Sequence, residues 1–196
     1  MHAHAVPARA LPGVRLRRHP PAHARPDLRP APHRRRGRSQ GAAAHSRAPH
    51  TEADTVVHVP DAGVLFAGDL LFIGCTPIVW SGPLAGWIDA CDTMVGLGAP
   101  TVVPGHGPVT DADGIRAVRD HFRHVVEQAD TAYAEGRGFQ EAAFGVDLAE
   151  YAERLDAERV VVNIYRRYRE IHPDQPVADR LTLFGLMAEW DRRRQP

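Results

Sequence analysis

The sequence predicts an α/β chain preceded by an irregular amino terminus, and three observations predict it. Short β-branched runs recur between residues 55 and 103, each bounded by Gly or Pro. From about residue 113 the apolar residues follow a 3.6-residue period. Before residue 48 no period persists. The 196 residues therefore divide into 1–48, 49–112 and 113–196, and the length suffices for one ordinary domain core.

Residues 1–48 read as disordered. Pro7, Pro12, Pro20, Pro21, Pro26, Pro30 and Pro32 interrupt any helix, and the scattered Val6, Leu11, Val14 and Leu16 bury too little to offset the entropy of ordering. The net charge of zero hides an asymmetry. Eleven Arg precede His50 against one acid, Asp27, whereas thirteen Arg and twenty-three acids follow it. The run Arg34-Arg35-Arg36 with Arg38 reads as a solvated basic tail, because no aromatic residues interleave it as a nucleic-acid surface requires. All 24 basic residues are Arg, as GC-rich coding DNA produces. The composition of 1–48 also fits translation from a shifted frame or an early start.

Thr55-Val-Val-His-Val59 is a strand by β-branched content. Pro60-Asp-Ala-Gly63 is a turn, and Val64-Leu-Phe-Ala67 completes a hairpin that ends at Gly68-Asp69. Leu70 to Gly86 is expected to be a loop held by Pro77 and Pro83, with Ile78, Val79, Trp80 and Leu84 either lining a pocket or covering the core. Trp87 to Val95 has helical spacing. Thr101-Val-Val103 is a short strand, and Pro104-Gly-His106-Gly a tight turn after it. Helices are expected over Gly114–Gly136, Phe139–Phe144, Ala157–Ile171 and Asp179–Arg193. His121 and His124 are read as surface residues of the first, and Arg166, Arg167 and Arg169 as a solvated face of the third.

The two cysteines, Cys75 and Cys91, form no spaced motif, so a disulfide framework is not expected and a reducing, cytoplasmic setting is. Neither a membrane-length apolar run nor a secretory signal is apparent. Cys75 reads as a small apolar group rather than a ligand, and His58, inside a strand, as packing or surface.

His50, Asp69 and His106 are the candidate metal ligands, because each stands beside or at the end of a β-rich run, where a sheet presents side chains to solvent. Neutral imidazole and carboxylate suit zinc, with iron or manganese as alternatives. His50-Thr51 followed by Asp54, then Phe66-Ala-Gly-Asp69-Leu70, then Pro104-Gly-His106-Gly-Pro108, resemble the later metal motifs of the metallo-β-lactamase-fold hydrolases, in order and spacing, over residues 49 to about 111. The resemblance implies the second half of an αββα sandwich with added carboxy-terminal helices that often shape the substrate mouth. It implies two zinc ions bridged by Asp69, the catalytic carboxylate at a metal-bound hydroxide, with His50 on the first metal and His106 on the second. Thr51 and Asp54 are implied as supporting residues, Asp54 orienting a ligand histidine.

The family's first motif, His-X-His-X-Asp-His, has no counterpart. His2-Ala-His4 is followed by Ala-Val-Pro, and His19, His23, His33 and His45 lack the spacing. Four of the family's seven ligand positions are thus unmatched. The expectation is a zinc-dependent hydrolase of a small-molecule thioester, lactam, lactone or phosphoester, with neither membrane nor nucleic acid as partner. The alternatives are a non-catalytic truncated remnant or binding module, and an iron-dependent thiol oxygenase of the same fold.

Overall fold

Four strands form one sheet in a computed structural model that describes residues 42–46 and 54–194. They are β1 (Ala42–Ser46), β2 (Asp54–Val59), β3 (Val64–Phe72) and β4 (Thr101–His106), ordered β1-β2-β3-β4. The first two junctions are antiparallel and β3 and β4 run parallel. A parallel pair needs a crossover, and here it carries the helix α1 (Leu84–Gly96). The helices α2 (Ala112–Ala134), α3 (Phe139–Phe144), α4 (Val160–Ile171) and α5 (Arg180–Arg194) follow. The architecture is mixed α/β, as the sequence predicts.

Strand β1 falls inside the stretch read as disordered. Its register with β2 runs from Ala42↔His58 to Ser46↔Asp54. Ala42-Ala-Ala-His-Ser lacks β-branched residues; the edge of β2 supplies hydrogen bonds that composition does not foretell. The rest of 1–48, with its expected disorder, its Arg run and His2 and His4, lies outside the described residues, as do His50 and Thr51.

Two strands are longer than expected. β3 continues through Gly68-Asp69 into Leu70-Leu71-Phe72, three consecutive buried residues that the sequence reading placed in a loop. Burial on both faces removes the alternation by which a strand is recognised. β4 continues through Pro104 to His106. Proline is tolerated there because β4 is an edge strand of the sheet.

The core lies between the sheet and the helices. Leu65, Ala67 and Val102 meet Trp87, Cys91 and Met94 of α1, and Ile115, Val118, Phe122 and Val125 of α2. The Trp87 indole N–H donates to the Leu70 carbonyl at 2.9 Å. Helix α2 starts two residues earlier than expected because the Asp111 side chain accepts from the Asp113 N–H at 2.8 Å, a standard N-cap.

The segment from Thr76 to Leu84 is held by side chains of α4 and the turn before it. Arg159 donates to the Thr76 carbonyl at 3.0 Å. Buried Asn163 donates to the Pro77 carbonyl at 2.9 Å and accepts from the Val79 N–H at 3.0 Å. Arg166 donates to the Ser81 carbonyl at 2.7 Å, and the Glu170 carboxylate accepts from the Leu84 N–H at 2.8 Å, capping α1. These four residues recur at spacings of four, three and four, which is one face of a helix. The arginines expected as a solvated face are therefore engaged. Arg166 holds the segment, Arg167 forks onto Asp130 at 2.7 and 2.8 Å, and Arg169 donates to the Gln175 carbonyl.

His121 overturns its reading as a surface residue. It is 1% exposed, and neither ring nitrogen has a hydrogen-bond partner among the described residues. Its ring lies 5.0 Å from Tyr151, edge to face. Burial, then the Arg154 guanidinium and His124, push its pKa down to about 3. His124 is half-buried, its Nε2 2.7 Å from the Asp147 carbonyl oxygen.

Asn163→Ala leaves a buried N–H and a buried carbonyl without partners, so stability is expected to fall by about 3 kcal/mol in a urea titration. For His121 the folded state refuses a proton that the unfolded state accepts. Stability is therefore full above pH 6.5 and falls as pH is lowered toward about 3, by at most about 1.4 kcal/mol per unit. Denaturation at pH 7 and pH 4.5 should show this loss, and His121→Leu should reduce it.

Candidate metal centre

Asp69 and His106 come together where β3 and β4 cross at close range. The register runs Phe66↔Val103, Gly68↔Pro104 and then Phe72↔His106, so β3 spends two more residues than β4 over the last interval. That excess is a bulge, and a bulge re-aims a side chain without ending the strand. Asp69 therefore projects from within β3 rather than from its end, and His106 is the last residue of β4 rather than part of a turn after it. His106 Nε2 stands 3.4 Å from Asp69 Oδ1, each side chain about half exposed.

Glycine makes this approach possible. A Cβ on Gly105 would lie 2.4 Å from Asp69 Oδ1 and 2.7 Å from the Gly68 carbonyl carbon and oxygen. Gly107, at φ 90°, would place a Cβ 2.1 Å from the Ile73 carbonyl oxygen. The Ile73 N–H donates to the His106 carbonyl at 2.9 Å. The imidazole lies flat against Phe72, ring centroids 4.2 Å apart and planes 11° from parallel.

The two donors fit a shared metal. Their 3.4 Å separation exceeds the usual range for an N–H···O hydrogen bond. It matches the spacing, about 3.4 Å, of two donors on a tetrahedral ion with bonds near 2.1 Å. Among the described residues no group of three or more His, Cys, Asp or Glu gathers to hold an ion. His50 and Thr51, expected as ligand and support, lie outside the described residues.

Asp54 opens β2. The pairing of β2 with β3 ends at Val57↔Phe66, three residues short of Asp54. His58 pairs with Leu65, four residues further from Asp69, in keeping with a packing role. Cys75 is partly buried, and desolvation raises its pKa, so it does not act as a ready thiolate.

A separate cavity of about 700 Å³ has a lining that includes Ile78, Trp80, Arg159, Phe184 and Met187. The guanidinium carbon of Arg159 lies 5.9 Å from the Phe72 ring centre. Of the apolar residues expected to line a pocket or cover the core, Ile78 and Trp80 line this cavity, and Val79 and Leu84 are buried in the core. Phe72 and Arg159 were not singled out from sequence. For Phe72 the unbroken run Leu70-Leu-Phe-Ile73 was the available signal. Arg159 lies ninety residues from Asp69, and nothing local marks it.

Comparison with known proteins gives these residues a lineage. The model of the metallo-beta-lactamase superfamily matches residues 17–106, a span containing His50, Asp69 and His106 and beginning inside the Arg-rich stretch. No curated protein matches the sequence. Among solved structures, a metallo-beta-lactamase family protein from Thermus thermophilus aligns at 16% identity and TM-score 0.50, over 74% of this chain and 50% of that one. The stereoselective inverting sec-alkylsulfatase Pisa1 from Pseudomonas sp. aligns at 15% identity and TM-score 0.51, over 66% and 23%. A double mutant of that sulfatase aligns at 13% and 0.54, over 70% and 24%. At these identities the likeness is one of fold, and the chain spans between about a quarter and a half of each structure. The family match over residues 17–106 and the likeness of fold agree, and together they support a partial member of the metallo-β-lactamase superfamily.

Proposed function

We propose that this chain is a zinc-dependent hydrolase acting on a small-molecule substrate. One observation carries the reading: Asp69 Oδ1 and His106 Nε2, half exposed and 3.4 Å apart, at the junction where two strands approach too closely for any side chain but hydrogen at residue 105.

In this reading Asp69, His106 and His50 are the residues that would hold the metal. Zinc bound there would supply Lewis acidity and would activate water for attack at neutral pH. The protein's own part is placement. Asp69 and His106 hold position through the β3 bulge and the Gly105 contact. Asp54, four residues after His50, orients the histidine that precedes it, and Thr51 supports the same ligand. The cavity lined by Ile78, Trp80 and Phe184 receives the body of the substrate, its volume being in the range of small-molecule sites.

A second reading, a chain that binds without turnover, is favoured by the two donors counted among the described residues. Elemental analysis with a hydrolysis panel of thioester, lactam, lactone, phosphoester and sulfate-ester probes separates the two. The hydrolase reading expects one to two zinc per chain and chelator-sensitive turnover, with Asp69→Ala and His106→Ala each lowering the rate at least about a hundredfold. Turnover unchanged in both variants refutes it, and zinc below one tenth per chain with no turnover supports the second reading. Gly105→Ala should also lose zinc, because its methyl group displaces the Asp69 carboxylate. Gly96→Ala should retain it, since nothing lies within 4 Å of that position.

A further inference from the structure

We infer that Phe72 is a positioning residue for His106, holding the imidazole plane in the orientation from which Nε2 reaches toward Asp69. The inference rests on the reading of His106 as a metal ligand.

A ligating histidine is usually aimed by a hydrogen bond from its other ring nitrogen to a carboxylate, carbonyl or water. Here the imidazole has two ring contacts among the described residues, the Asp69 oxygen and the face of Phe72. A half-exposed ring at the end of an edge strand would otherwise rotate freely about its χ2 angle, whose energy wells are broad. The flat stack supplies the missing restraint. An imidazole lying parallel to a neighbouring ring at 4.2 Å cannot rotate far about χ2 without colliding with it.

Phe72 is itself held. It is 3% exposed, pairs directly with His106 in the β3–β4 register, and sits against Trp87 at 6.4 Å. Its neighbour Ile73 bonds the His106 carbonyl, so consecutive residues fix both the backbone and the ring of the same histidine. The face of an aromatic ring also favours a partner carrying positive charge, and an imidazole gains positive character when it ligates a cation. The stack therefore strengthens with the metal bound, whereas a purely apolar neighbour of the same size would not respond.

The test compares Phe72→Leu, Phe72→Tyr and, as a control for lost stability, Phe122→Leu. Phe122 is fully buried, and its ring lies tilted against Trp87 and His121 rather than against His106. Zinc affinity is read by competition with a chromophoric chelator, and the His106 ring proton shifts by NMR on the metal-free protein. The expected result is an upfield ring-current shift of His106 in the wild type and in Phe72→Tyr that disappears in Phe72→Leu. Zinc affinity should fall about tenfold or more in Phe72→Leu, stay within about threefold in Phe72→Tyr, and be unchanged in Phe122→Leu. Equal affinity in Phe72→Leu and wild type overturns the inference and leaves the metal site standing. An equal loss in Phe122→Leu overturns it too, because general destabilisation then explains the effect. A wild type that binds no zinc removes both the metal site and the role assigned to Phe72, even if the ring-current shift is present.

Discussion

The contact on which the site depends is the crossing of Gly105 over Gly68 and Asp69. Backbone atoms approach there at distances no Cβ tolerates, so two strands bring a carboxylate and an imidazole to 3.4 Å without either side chain having to reach. Side chains that stay short lose little entropy on being ordered. The bulge in β3 contributes equally. Without the extra residues between Gly68 and Phe72, strand alternation would carry Asp69 and Phe72 to a different relation with His106. One local irregularity thus places both the candidate ligand and the ring that stacks on its partner.

The helices contribute at one remove. A polar face running from Arg159 to Glu170 satisfies the backbone of the segment between Thr76 and Leu84, and that segment supplies Ile78 and Trp80 to the lining of the cavity. Such a segment has few backbone partners of its own, and buried peptide groups must find them somewhere. Asn163 shows the economy of the arrangement, since one amide answers both a donor and an acceptor. His121 shows the opposite: a buried imidazole with no partner among the described residues, stable only while neutral.

Most of the secondary structure was legible in the sequence, because helices announce themselves by period and caps. Phe139–Phe144 matched its expected bounds, and α2, α4 and α5 began or ended within a few residues of theirs. The strands were legible where one face is exposed and illegible where both are covered, as in Leu70-Leu71-Phe72. β1 was illegible for another reason, since its hydrogen bonds come from β2 and leave no mark on the residues that receive them. The burial of His121 was equally hidden, because it is decided by Tyr151 and Arg154, about thirty residues away.

The sequence by itself determined the chemistry that can be held here. Asp69 with its preceding glycine, and His106 between two more, are metal-compatible residues in backbone settings that permit close approach, and their order matches a known family. Only the tertiary structure decided that the two meet. Their separation in the chain is thirty-seven residues, and a parallel crossover through α1 closes it. The choice of neighbours was likewise tertiary. Phe72 faces His106, and Arg159 stands near Phe72, because strand register and helix packing act across distances that local composition does not encode.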